Sequence, residues 1–254
     1  MSPAAFEARL DPIEVDCANR WNAMDRKPKI AVIMDENTSS GGDRYDISKS
    51  YFSALDRAGA FAFGIPYAPD LVEYVIEAFD GFLSVGGRIN FPGEWYVEGD
   101  RSQYPPSDRL AVEMALMQGF LAHDKPVLGI CNGMQMLGCL HGCRMVSDIR
   151  ASLAGALEHD NADMRHDVHV SRGTRMSAIL NAETFSVNTF HREAIVEVSD
   201  AVTVTARGTD GVIEAIEVPA YAFAMGLQWH AERLDAESHP GARIFDAFVS
   251  AASR

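Results

Sequence analysis

The residues with the clearest chemical potential lie between Lys125 and Gly138. There an apolar run of strand length turns at Gly129-Ile130-Cys131-Asn132-Gly133 and continues with Met and Leu at helical spacing. A Gly-x-Cys-x-Gly turn between a strand and a helix has the form of a nucleophile elbow with cysteine in place of serine. The N-terminus of the following helix favours the thiolate of Cys131 through its dipole and free N–H groups. A buried structural cysteine is the alternative interpretation, and the flanking glycines argue against it.

A second stretch, Ala224 to Glu232, places a histidine at the end of an apolar strand and a glutamate two residues later. Residues two apart in extended backbone point to the same side. Glu232 can therefore hold one ring nitrogen of His230 while the other nitrogen faces a nucleophile. A His-x-Glu pair alone is a weak signal. Together with the elbow, it predicts a Cys-His-Glu triad.

The elements that must position these residues follow an α/β pattern. Near-continuous apolar runs predict buried parallel strands, and amphipathic stretches between them predict helices. The strands are expected at 29–34, 61–65 and 81–85, and the helices at 47–58, 71–79 and 108–122. Alternating residues in 202–206 and 212–217, on either side of Thr209-Asp210-Gly211, predict a hairpin that extends the sheet in antiparallel fashion. We expect residues 1–28 to form an N-terminal extension and residues 29–254 to form one domain.

Three loops could contribute to a site. Gly86-Gly87 follows a buried strand and allows backbone N–H groups to approach a ligand, although a plain tight turn is the simpler interpretation. Residues 88–106 form a long loop rich in Gly, Pro and aromatic residues, a kind of loop that is often functional. The polar loop Asp35 to Asp46 follows the first strand, where α/β proteins bind ligands.

Two groups of residues could suggest a metal. Cys139-Leu140-His141-Gly142-Cys143 matches no common zinc spacing, so we interpret it as the end of the elbow helix and its turn. His159, His166 and His169 lie in a polar stretch without clear periodicity. They could be ligands, but we expect solvent-facing positions for them.

Composition limits the classes of partner. The chain has 254 residues, 47% of them hydrophobic and 23% charged, as in ordinary globular proteins. A formal charge of -14 argues against nucleic acid and anionic membrane surfaces and is compatible with an amine-bearing ligand. Four cysteines do not make a disulfide framework, which favours a reducing compartment. With no leader pattern and no apolar run of membrane-spanning length, we expect a cytoplasmic protein.

The segments Gly129 to Gln135 and Gly226 to Glu232 resemble the two signatures of class I glutamine amidotransferase-type domains. The subgroup that the chain resembles is the γ-glutamyl-γ-aminobutyrate hydrolase family. The resemblance spans about residues 29–254. Further matching segments are the Gly-Gly loop, Phe82 to Gly87, with Asn90, Pro92 and Tyr96 after it, and the helix that carries Arg109 and Glu113. The residues 124–128 that follow this helix match as well. In the C-terminal half, residues 187–191, 210–215 and 243–248 match. It implies a flavodoxin-like three-layer sandwich with a mostly parallel central sheet and an antiparallel C-terminal extension.

The resemblance also implies roles for individual residues. Cys131 would be the nucleophile, His230 the general base and acid, and Glu232 the orienting carboxylate. The oxyanion hole would use the backbone N–H of Asn132 and that of Gly87 or Gly86. Gln135, Asn188 and His191 would contact substrate or line its pocket. The chain departs from the family pattern at Val85 and Ala231, which replace prolines, and in the loop 88–106.

The expected activity is hydrolysis of a γ-glutamyl amide to glutamate and a free amine through a thioester. The amine would be γ-aminobutyrate or derived from a polyamine. We expect a small-molecule substrate, no metal and no organic cofactor, and a homodimer is compatible with the sequence. One alternative is a glutaminase subunit that delivers ammonia to a separate synthase. The other is a non-catalytic binding or regulatory protein on the same fold.

Overall fold

The computed structural model describes residues 27–36, 44–235 and 237–254. The predicted N-terminal extension, residues 1–28, lies outside the described residues except for Lys27 and Pro28. The central part of the predicted polar loop, residues 37–43, also lies outside them.

The described chain is built on a nine-stranded sheet, in which five parallel strands continue into four antiparallel ones. Its strands, in spatial order, are β4 (Phe61–Ile65), β1 (Lys29–Ile33), β5 (Gly81–Ser84), β6 (Val127–Ile130), β13 (Ala224–Leu227), β12 (Ile213–Glu217), β11 (Thr203–Gly208), β8 (Arg165–Val170) and β9 (Thr184–Asn188). The pairs from β4 to β13 are parallel, and those from β13 to β9 are antiparallel. Two small ladders join β2 (Asp35–Glu36) to β3 (Tyr45–Asp46) and β7 (Arg144–Val146) to β10 (Ala194–Glu197).

Seven α-helices lie within the described residues. They are α1 (Lys49–Arg57), α2 (Val72–Ala78), α3 (Arg109–Ala122), α4 (Asn132–Leu140), α5 (Ile149–Ser152), α6 (Arg175–Leu180) and α7 (Arg243–Ala252). The connection from β1 to β4 runs in the opposite direction to the later ones. Right-handed crossovers therefore place α1 on one face and α2, α3 and α4 on the other. The contacts agree, because α1 packs on α7 and α2 packs on α3. The predicted three-layer α/β architecture is confirmed.

The apolar runs form the elements that the sequence predicts. Four successive residues of β1, Ile30 to Ile33, are fully buried, as expected for a strand covered by helices on both faces. The hairpin is also present, because β11 pairs with β12 in antiparallel register. Cys139 and Cys143 are free thiols at the end of α4 and in its turn. Within the described ranges, every helix is too short or too polar to cross a lipid bilayer.

The prediction that three histidines face solvent is wrong for two of them. His159 and His166 are buried, whereas His169 is exposed. His166 alternates along β8 with the exposed Arg165 and Asp167, on the same face as Val168 and Val170, which pack into the core. A period-two pattern that includes histidine thus puts His166 inside. His159 lies in the loop after α5.

Candidate active site

Cys131 lies at a sharp turn between β6 and α4. Its backbone has φ 52° and ψ -102°, a left-handed conformation that non-glycine residues rarely adopt. The Cys131 N–H donates to the carbonyl of Leu227 on β13 at 2.6 Å, which holds the turn against the sheet. A Cβ at Gly129 would lie 2.5 Å from the main-chain carbonyl of Gly133, so only glycine allows strand and helix to approach this closely. The structure has the strand–turn–helix form that the motif predicts.

His230 follows β13 and pairs with Glu232. The His230 Nδ1 lies 2.8 Å from Glu232 Oε1, and both side chains are buried. The backbone between them differs from the sequence expectation, because Ala231–Arg233 forms a 3-10 turn rather than an extended strand. The turn brings the carboxylate back to the ring, so the predicted contact forms by a different local route.

The environment of His230 favours its charged form. Burial opposes that form, but interactions with Cys131 and Glu232 outweigh it and raise the pKa of His230 to about 9. The Tyr51 hydroxyl lies 3.4 Å from His230 Nδ1, and burial holds the pKa of this phenol well above its usual value. At neutral pH the site thus combines an imidazolium with a neutral phenol.

Two backbone N–H groups beside Cys131 are available to an incoming oxygen. The Gly86 N–H donates to the Tyr51 hydroxyl at 3.1 Å and is therefore occupied. Within the described part of the chain, the N–H groups of Gly87 and of Asn132, the first residue of α4, have no partner. Of the three predicted oxyanion-hole residues, Gly87 and Asn132 remain free donors and Gly86 does not.

A buried arginine fixes the Gly86-Gly87 turn. Arg109 is fully buried, and its Nη1 donates to the Gly86 carbonyl at 3.0 Å and to Asp35 at 2.9 Å. Its Nε donates to Glu113 at 2.7 Å, and Glu113 also accepts a hydrogen bond from a serine on β5. The Gly86 carbonyl and the Gly87 N–H belong to one planar peptide. By holding the carbonyl, Arg109 sets the direction of the free N–H.

A cavity of about 270 Å³ opens over these groups. Cys131, His230, Gly86 and Gly87 all line it, together with Tyr51. Charged residues of both signs also line it, namely Asp35, Glu36, Arg88 and Arg233. The cavity can accommodate a small ligand that carries both an anionic and a cationic group.

The three predicted substrate-binding residues make hydrogen bonds within the protein. The Asn188 amide donates to the His230 carbonyl at 2.9 Å and accepts from the His230 N–H at 2.8 Å. Gln135 Nε2 donates to the Glu193 carbonyl at 2.9 Å. His191 Nδ1 lies 3.1 Å from the same carbonyl. Gln135 and His191 still line a small cavity beside Cys131. Their contact with substrate, and that of Asn188, stays a prediction.

The sequence did not predict that Tyr51 contacts the active-site turn. It identified Arg109 only as a residue that matches the family pattern, without a role at that turn. Tyr51 belongs to the apolar face of α1, as its spacing predicts, and its hydroxyl reaches the site from that face. A lone arginine with a glutamate four residues later is usually an exposed pair on a helix surface. On α3 the neighbouring residues Leu110 and Val112 indicate that the Arg109–Glu113 pair is buried, because they place it within a largely apolar helix.

The fold and site define an amidotransferase-like α/β protein with a thiol at a nucleophile elbow. The glutaminase domain of Trypanosoma brucei CTPS with bound acivicin has the same fold, with a TM-score of 0.61, 16% identity and coverage of 89% of this chain and 94% of that one. PuuD of Escherichia coli K12, named gamma-glutamyl-gamma-aminobutyrate hydrolase, is 31% identical over 238 residues, covering 88% of this chain and 93% of PuuD. Rv2859c of Mycobacterium tuberculosis H37Rv is 34% identical over 212 residues, covering 80% of this chain and 66% of its own length.

The chain matches the peptidase C26 family over residues 28–232. The match covers most of the chain, so the protein belongs to the peptidase C26 family. It is a glutamine amidotransferase-like amidohydrolase of that family.

Proposed function

We propose that the protein hydrolyses a γ-glutamyl amide to glutamate and a free amine, with Cys131 as nucleophile. The observation that carries the proposal is that His230 lines the same cavity as Cys131 and is paired, at 2.8 Å, with the buried Glu232. An ion pair between a cysteine thiolate and an imidazolium makes the thiolate available at neutral pH. The raised pKa of His230 supports this pairing.

In the first half of the reaction, the Cys131 thiolate attacks the γ-carbonyl carbon, and the carbonyl electrons move to oxygen. The N–H groups of Gly87 and Asn132 stabilise this oxyanion, and each lowers the barrier by roughly 3 kcal/mol. When the tetrahedral intermediate collapses, the C–N bond breaks and imidazolium His230 gives its proton to the departing amine. A thioester between Cys131 and the γ-glutamyl group remains.

In the second half, neutral His230 takes a proton from water as the water attacks the thioester carbonyl. The same two N–H groups stabilise the second oxyanion, and its collapse expels the Cys131 thiolate and releases glutamate. The thiolate and imidazolium pair is restored. The γ-carboxylic acid that forms gives its remaining proton to solvent, and the product leaves as glutamate.

The charges around the cavity support a γ-glutamyl substrate. Such a group carries an α-carboxylate and an α-ammonium, and the cavity wall has the arginines Arg88 and Arg233 and the carboxylates Asp35 and Glu36. The relative PuuD is named for hydrolysis of γ-glutamyl-γ-aminobutyrate. We therefore propose γ-glutamyl-γ-aminobutyrate and γ-glutamyl polyamines as the first substrates to test.

The test is a panel of γ-glutamyl amides, with glutamine included, assayed for release of glutamate by the wild type and by Cys131→Ala. We expect turnover of at least one γ-glutamyl amine above that of glutamine, and loss of turnover to background in Cys131→Ala. The matched control is Cys143→Ala, which removes a buried thiol that does not line the cavity and should keep activity. Full activity in Cys131→Ala would refute the mechanism. A preference for glutamine that rises with a partner synthase would favour the ammonia-delivering alternative.

A further inference from the structure

A cluster of buried titratable side chains lies outside the set that the proposed reaction uses. Glu214 on β12 is fully buried, and three histidine nitrogens surround its Oε1. They are Nδ1 of His159 at 3.5 Å, Nε2 of His166 at 3.4 Å and Nε2 of His191 at 3.5 Å. All three histidines are at most 7% exposed. Neither Glu214 oxygen has a hydrogen-bond partner among the described residues.

In each of these rings one nitrogen, the inner one, faces Glu214, and the other, the outer one, contacts a different group. Where the outer nitrogen donates a hydrogen bond, the inner nitrogen of a neutral ring carries a lone pair. His191 Nδ1 lies 3.1 Å from the Glu193 carbonyl and must donate to it, so Nε2 faces Glu214 as an acceptor. His159 Nε2 lies 2.8 Å from an Asp210 oxygen and must likewise donate. His159 Nδ1 also lies 3.2 Å from the Thr189 hydroxyl, a contact that a bound ion would replace. A histidine whose outer N–H is held by a carboxylate or a backbone carbonyl is the usual arrangement of a metal ligand.

The competing explanation is that the cluster shares a proton. A single proton does not give every unpaired nitrogen and oxygen atom of the cluster a partner. Burial raises the pKa of Glu214 to about 7, so its carboxyl group could carry one proton. One proton satisfies one lone pair. The Nε2 atoms of both His166 and His191 lack a hydrogen-bond partner in the described structure, and both face the same oxygen. A cation can serve several such atoms at once.

We propose that this cluster binds a divalent transition-metal ion of the zinc class through His159, His191 and Glu214, with His166 beside the carboxylate. The candidate donor atoms of His159, His191 and Glu214 lie within 4.8 Å of one another. Around a tetrahedral zinc with bonds of about 2.0–2.2 Å, donor atoms stand roughly 3.3–3.6 Å apart. The distances from Glu214 Oε1 to His159 Nδ1 and to His191 Nε2, both 3.5 Å, fall in that range. Imidazole and carboxylate donors suit this class of ion.

Charge and access support the same assignment. Glu214 and Asp210 bring two carboxylates to the cluster, which a divalent ion balances. A surface cavity of about 440 Å³ is lined by His159 and His191 and provides a route for the ion. His191 lies three residues after Asn188, which holds the main chain of His230. The ion would thus be structural, and it would tie a loop, the segment after β9 and strand β12 together.

The first experiment measures metal content without any change to the cluster. Wild type and Cys131→Ala are stripped with a chelator, loaded with Zn²⁺ or Co²⁺ and desalted. Because the active-site thiol, histidine and carboxylate could also hold zinc, the Cys131→Ala protein is the informative one. We expect about one ion per chain in both proteins, a tetrahedral Co²⁺ absorption spectrum, and X-ray absorption from imidazole without sulfur.

Variants of the cluster then locate the ion. We expect Glu214→Gln and Asp210→Asn, each made in the Cys131→Ala background, to weaken Zn²⁺ binding about 10–100-fold. His169→Asn, at the exposed histidine of β8, is the matched control and keeps the affinity. Zn²⁺ should also raise the unfolding midpoint of Cys131→Ala.

The outcomes separate the two explanations even if a cluster variant does not fold. Retention of less than roughly 0.1 ion per chain by Cys131→Ala would overturn the proposal and leave the cluster as a proton-sharing network. Unchanged Zn²⁺ affinity in folded Glu214→Gln would also overturn it. Either result leaves the proposed hydrolysis standing, because that reaction is tested by Cys131→Ala with γ-glutamyl amides.

Discussion

At the scale of single residues, the site depends on which backbone N–H groups of the Gly86-Gly87 turn are already hydrogen-bonded. Tyr51 accepts the N–H of Gly86 at 3.1 Å, while the next N–H along the chain, that of Gly87, stays available. The Arg109 guanidinium holds the carbonyl of the intervening peptide from the other side. A pre-oriented donor of this kind needs no reorganisation when charge develops on a reacting oxygen. The turn is thus held in one orientation before any ligand arrives.

The charge on Glu232 controls the proton on His230. In Glu232→Gln the carboxylate that stabilises the imidazolium is gone, so the pKa of His230 falls from about 9. Because imidazolium is the acid in the proposed reaction, the alkaline limb of kcat/KM should move to lower pH. The maximum rate should fall roughly 10²–10⁴-fold, as when a triad carboxylate is replaced by its amide. The measurement is kcat/KM from pH 6 to about 10.

Asp235→Asn is the control for this profile, since it removes an exposed carboxylate three residues away. Its profile should match that of the wild type. An alkaline limb that stays in place or moves upward in Glu232→Gln would contradict the proposed role of the carboxylate.

At the scale of elements, the elbow requires β6, α4 and β5 to pack without side chains between them. Gly133 opens the first turn of α4, and a Cβ there would clash with the side chain and the main-chain carbonyl of Ser84 on β5. Gly133→Ala should therefore lower the free energy of unfolding by about 1–3 kcal/mol. Urea unfolding followed by circular dichroism measures this loss.

Gly93→Ala is the matched control for the elbow, because a Cβ at Gly93 meets no atom of the described residues within 4 Å. We expect its free energy of unfolding to stay within about 0.5 kcal/mol of the wild type. Equal stability of the two variants would show that α4 can shift away from β5 at little cost.

The elements that sequence patterns predict best are those with a strong local signal. The hairpin of β11 and β12 follows from alternation around Thr209-Asp210-Gly211, and the elbow follows from its two glycines. The Glu232 contact was predicted although the backbone route to it was not. Local patterns gave no sign that a loop histidine, His159, would be buried against Asp210, because that contact joins residues 51 positions apart. The alternation along β8, in which His166 is in phase with Val168, does indicate that His166 is buried.

At the scale of the whole molecule, buried charge links the active-site turn to the core. Arg109 and Glu113 are both fully buried and joined at 2.7 Å, so neither can lose its partner without leaving a charge in the interior. Arg109→Met should cost about 3–5 kcal/mol in the free energy of unfolding. Turnover should also fall, because the Gly86 carbonyl loses its donor. Urea unfolding and the amide assay test both effects.

Arg57→Met is the control for this comparison. Arg57 pairs with Asp246 at 2.9 Å, but both side chains are substantially exposed. A pair of this kind is worth about 0–1 kcal/mol, so its loss should barely change stability. A similar loss in both variants would mean that burial does not distinguish the two ion pairs.

The hydrogen bonds between Asn188 and His230 have a consequence for folding. Asn188 ends β9, at one edge of the nine-stranded sheet, whereas His230 follows β13, four strand positions away. In a flat sheet, four spacings of about 4.8 Å would separate the two by roughly 19 Å. Their contact at 2.8 Å shows that the antiparallel half curls back over the end of β13. Because distant pairings of this kind form late and slowly, recovery of enzymatic activity during refolding should lag behind recovery of secondary structure.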